Sequence, residues 1–228
     1  MKAPVVLLLA VSCANPSSPA RSASPEGTEL PVTTAMHRQL ILVDTMRESV
    51  IAADLDAAGR ASRKLAAMPE VAGAPPEWGP WLARVRDSAA RVDDTWTLQT
   101  AARTVADIGR TCGGCHASTG GGPRFGNDGT PAAPKEGLRG HMVHHKAAVD
   151  GMWEGLITAD TLHFARAAKA LSEERPELAD GPQGKRLHDL AGQAAKAKSL
   201  ASRADVFGEV IAACAECHAG RDAVRKGQ

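Results

Sequence analysis

The chain repeats itself, and a repeat constrains a fold more than any other feature here: whatever the first half folds into, the second half must also be able to fold into. Met36, Asp44, Met46, Ile51, Asp54, Arg60 and Leu65 recur at one constant offset as Met142, Asp150, Met152, Ile157, Asp160, Arg166 and Leu171. After a small shift the pattern continues, with Val85, Asp87, Leu98 and Ile108 answered by Leu187, Asp189, Leu200 and Val210. Both series end on the same string: Cys112, Cys115 and His116 correspond to Cys214, Cys217 and His218. The shift falls where the first copy has the longer loop MPEVAGAPPEWGP, and insertions belong in loops. The copies are predicted to span residues 32–117 and 140–220, joined by a Gly/Pro-rich linker at 118–139 and followed by a basic tail at 221–228.

Each copy reads as four helices. There is no Tyr and only three Phe, beside abundant Ala, Leu, Arg and Lys, a mixture that favours helix over strand. In the first copy Thr33 or Thr34 can cap a helix reaching about Ala53. Asp54 caps the next, which ends before Pro69, and Pro80 suits the first turn of a third. The fourth is expected from about Trp96 to Cys112, with Val105, Ile108 and Cys112 on one face. The second copy gives the same series from about Arg139, Asp160, Gln183 and Ser202. Short connections make such helices antiparallel neighbours, so the expected fold is all-α, two tandem antiparallel four-helix bundles. The linker between them leaves their docking open.

The N-terminus has a different character. MKAPVVLLLAVSC combines Lys2, an apolar run and small residues before Cys13, the layout of an export signal whose core is too short to span a bilayer. It resembles a lipoprotein signal at residues 1–13, with Cys13 the lipid anchor, although Ala10 stands where such signals usually have Leu. An ordinary secretory signal cut within CANPSSPARSA is the alternative. Either places the product outside the cytoplasm, on the periplasmic side, and residues 14–31 read as a flexible tether. The formal charge of +1 gives no footprint for nucleic acid.

C-x-x-C-H is the attachment signature of c-type haem, in which two thiols bond the porphyrin and the adjacent histidine reaches the iron. Cysteines three apart sit one helical turn from each other and can reach one edge of a macrocycle. The reading is therefore two covalently bound haem c groups, on Cys112 and Cys115 and on Cys214 and Cys217, with His116 and His218 as iron ligands. Zinc, disulfides or redox dithiols are the alternatives, and none of them explains a histidine after the second cysteine in both copies.

With the motif closing each four-helix unit, the chain resembles the class II, or cytochrome c′-like, family over roughly 32–117 and 140–220. That resemblance implies four antiparallel helices with the haem at the end of the last, and a sixth iron ligand from the start of the first. Met36 and Met142 are the matching pair there, with His37, His144 and His145 as competitors. Met46 and Met152 lie too far along the helix and are expected in the core. The functional expectation is a non-enzymatic carrier of electrons between redox partner proteins, held at a membrane if Cys13 is acylated. A five-coordinate haem binding nitric oxide or carbon monoxide is the alternative, and a homodimer through the first helices is what the resemblance implies for assembly.

Overall fold

The computed structural model describes residues 31–71, 73–92, 95–134, 136–173 and 182–226. Eight α-helices account for most of them, and there is no strand among the described residues. The first four are α1 (Pro31–Ile51), α2 (Leu55–Ala66), α3 (Gly79–Ala89) and α4 (Leu98–Thr119), with a short 3-10 turn at Pro76–Trp78 ahead of α3. The second four are α5 (Gly137–Ile157), α6 (Thr161–Ser172), α7 (Pro182–Ala194) and α8 (Leu200–Lys226). The export signal, Cys13 and the tether up to residue 30 lie outside the described residues.

Local chemistry explains most of the boundaries. Asp54 caps α2 by accepting from Ala57 N at 2.8 Å, and Asp160 caps α6 by accepting from Leu162 N and His163 N. A carboxylate there satisfies amides that have no partner within the helix. Thr97 and Thr100 form a reciprocal capping box at the start of α4. That helix does not stop near Cys112, as its apolar spacing suggests. It runs through the whole cysteine motif to Thr119 and ends on Gly120 at φ 69°, a left-handed turn that glycine adopts without strain. The α1–α2 and α5–α6 turns place Ala53 (φ 60°) and Ala159 (φ 57°) in that same region. These alanines are equivalent in the repeat, so the strained turn is duplicated with the helices.

The two four-helix halves pack against each other. The most extensive contact between them is α4 against α8, larger than the contact of α4 with α1 or of α8 with α5 inside their own halves. The reason lies in small side chains. Ala106 faces Gly208, its own counterpart in the repeat, where an added Cβ would lie 3.3 Å from the Ala106 Cβ. Fully buried Ala101, Ala102, Val105 and Ile108 on α4 share one core with Phe207, Val210, Ile211 and Ala215 on α8. Met46 and Met152 are fully buried in it.

α1 and α5 meet across the same pseudo-two-fold relation. Arg47, buried on α1, bonds Asp150 of α5 at 2.9 Å and Glu48 at 2.7 Å, and Lys146 of α5 reaches Glu48 at 3.2 Å. The linker is also tied down. Asn127 donates to Glu154 at 3.2 Å, Arg166 meets Asp128 at 3.4 Å, and Gly129 (φ 83°) lies so close over His163 that a Cβ would stand 2.5 Å from its carbonyl. The docking that the glycine-rich sequence left open is thereby fixed by both a core and a clasp.

Candidate functional site

α4 packs less extensively on α1 than on α8, and a cavity of about 300 Å³ lies between α1, α3 and α4. Its wall is mainly apolar: Met36, Leu40 and Val43 from α1, and Leu82 and Val85 from α3. Cys112, Cys115 and His116 come to it from α4, and His37 from the start of α1. The structure thus brings together Cys112, Cys115, His116, Met36 and His37 around one space.

The glycines between the cysteines have a steric cause. A Cβ on Gly113 would fall 2.2 Å from the Leu156 carbonyl oxygen of α5, and one on Gly114 would fall 2.8 Å from the Trp81 ring. Only a bare backbone lets α5 and α3 approach the motif this closely. After α4 the chain folds back over His116, where Gly122 at φ 111° lies so close that a Cβ would meet the imidazole at 2.6 Å.

His116 Nδ1 stands 2.6 Å from the carbonyl of Ile157. A carbonyl only accepts, so Nδ1 carries the proton and donates. In the neutral ring Nε2 then keeps its lone pair. The four described cysteines, Cys112, Cys115, Cys214 and Cys217, are free thiols. Burial, followed by the neighbouring Cys115, pushes the Cys112 thiol up to about 12, and burial followed by Cys217 does the same for Cys214. Burial also raises Cys115. With a thiol at about 12, roughly one in 10⁵ molecules is thiolate near neutral pH, so Cys112 is a poor nucleophile.

In the second half the matching residues are arranged differently. Met142, Cys214, Cys217 and His218 are half-buried. His144 is held through Nδ1 to the Ala132 carbonyl of the linker at 2.8 Å. The His145 ring centroid lies 4.1 Å from that of His141, the rings tilted at 49°, and His141 is a residue that sequence reasoning passed over. Burial, then His141, His188 and His144, push His145 down to about 3, so it is neutral at physiological pH.

Among the described residues no group of three or more His, Cys, Asp or Glu comes together in a way that would hold a metal ion. That finding overturns the reading of two covalently bound haem c groups, and with it the haem-bearing bundles, the electron-carrying function and the nitric oxide or carbon monoxide alternative. In the first half the donors are spread along a mainly apolar wall. In the second, His144 is turned to the linker and His145 to His141. Compared with family models, curated proteins and solved structures, the chain matches none, so no cytochrome c′ likeness was found either.

Sequence reasoning also missed Trp153 and Ile157, which wall the first half's cavity from α5. No local signal marks them. They reach the site only through the docking of the halves.

Proposed function

We propose that the chain is a small-molecule-binding protein whose first half holds one apolar ligand between α1 and α4. The observation that carries the reading is the cavity of about 300 Å³, apolar over most of its wall with a few converging polar groups. Binding pockets generally have that composition and are of this size or larger. Met36, Leu40 and Val43 supply apolar contact, Cys112 and Cys115 line one wall, and His116 offers a single oriented acceptor at Nε2. The protein works outside the cytoplasm, held at the membrane through Cys13 and passing its ligand to or from a partner protein there. The charged and apolar layout of MKAPVVLLLAVSC supports that placement.

Thiol exchange at Cys112 is a weaker use of the site, because a thiol at about 12 is scarcely ionised at neutral pH. The test is titration of the full chain with 1-anilinonaphthalene-8-sulfonate, an apolar fluorescent probe, beside a Leu40→Trp variant whose larger side chain fills the cavity. Saturable binding at one site in the wild type, weakened at least tenfold in Leu40→Trp, is the expected result. Equal uptake by both proteins, or none by either, refutes the reading.

A further inference from the structure

The cavity of the first half is closed by the second. Trp153 and Ile157 of α5 belong to its wall beside residues of α1, α3 and α4. Trp153 is only 3% exposed and is fixed on several sides. Its ring stacks on Phe207 of α8 at 5.8 Å and 27°. It fits over α4 only because position 109 is glycine, where a Cβ would come within 2.5 Å of the indole. The Arg47 guanidinium lies over the ring at 5.6 Å, a cation–π contact that favours one placement of the indole.

The repeat adds a second argument. The offset that pairs Met46 with Met152 pairs Arg47 with Trp153. Two equivalent positions therefore meet each other at the pseudo-symmetry relation, one as a cation and one as an indole. The aromatic member contributes to the first half's cavity. The cationic member is engaged by Asp150 and Glu48. A rigid aromatic wall limits the depth of a cavity in a way that a flexible methionine or leucine does not.

We propose that Trp153, contributed by the second half, sets the size of apolar ligand that the first half's cavity accepts. The proposal rests on the reading of that cavity as a ligand site. Trp153 acts as a specificity-determining wall supplied by the other half of the chain.

The test uses the full chain and two probes of one chemical class, 1-anilinonaphthalene-8-sulfonate and its roughly doubled analogue bis-ANS. The wild type, Trp153→Leu and the more conservative Trp153→Phe are titrated with each, with a thermal melt of every variant. The wild type is expected to bind the smaller probe and discriminate against the larger. Trp153→Leu is expected to gain at least tenfold in affinity for bis-ANS, with Trp153→Phe between the two. Where Trp153→Leu does not fold, the shift in probe preference of Trp153→Phe decides the matter. Binding of the smaller probe with an unchanged preference in the folded variants overturns the proposal and leaves the site standing. Failure of the wild type to bind either probe removes both.

Discussion

At Cys112 and Cys214 a helix turn carries a thiol into a place where its ionised form is poorly solvated, and both are pushed up to about 12 from an ordinary 9.0. An acid whose folded value is raised keeps its proton in the native state while the unfolded chain loses it. Stability contributed by these thiols is therefore complete below pH 9 and declines as pH climbs from 9 toward 12. Each thiol removes at most about 1.4 kcal/mol per pH unit in that window. Denaturant unfolding at pH 8, 9.5 and 10.5 is expected to show this decline, and a Cys112→Ala, Cys214→Ala double variant is expected to flatten it. Kinetics follow the same chemistry. Iodoacetamide at pH 8 is expected to modify Cys115 before Cys112, with peptide mapping as the readout. Gly113 supplies a purely steric prediction. With the Leu156 carbonyl 2.2 Å from where a Cβ would be, Gly113→Ala forces α4 and α5 apart and is expected to cost about 2 kcal/mol.

Helix by helix, what was legible in the sequence is what depends on neighbouring residues. Asp54 and Asp160 announce their caps because a carboxylate before a helix has one local use, and Pro80 falls in the first turn of α3 for the same kind of reason. The course of α4 beyond Cys112 was not legible. Its continuation packs Gly113 against α5 and Gly114 against α3, and this has no apolar period to follow. The all-helical content and the repeat were readable. The gathering of Met36, His37, Cys112, Cys115 and His116 around one space also follows from antiparallel helices. Its cofactor assignment did not survive, because a spacing motif names donors without showing that enough of them converge. The turns after α1 and α5 give a prediction at this scale. Ala53 and Ala159 hold positive φ values that cost an L-residue energy, whereas glycine does not suffer that clash. Ala159→Gly is expected to stabilise the fold by about 0.5–1 kcal/mol after its entropy loss, measured as a rise in denaturant midpoint at unchanged m-value.

Over the whole molecule, duplication has produced one body. The small faces of α4 and α8 join the cores, Arg47 and Lys146 cross between α1 and α5, and the linker is bound over α5 and α6. A single calorimetric transition is expected, with calorimetric and van't Hoff enthalpies in agreement, where two autonomous bundles would give two. The same docking supplies Trp153 to the wall of the first half's cavity. Trp153 and Ile157 were invisible in the sequence for this reason: they act on a site in the other copy. The measurement that tests the account most directly is native mass spectrometry of the full chain as isolated and of Leu40→Trp, with both masses repeated after denaturation. The account predicts one small molecule retained per native wild-type chain and lost from Leu40→Trp. Bare polypeptide masses in every spectrum, or equal retention by both proteins, would contradict it.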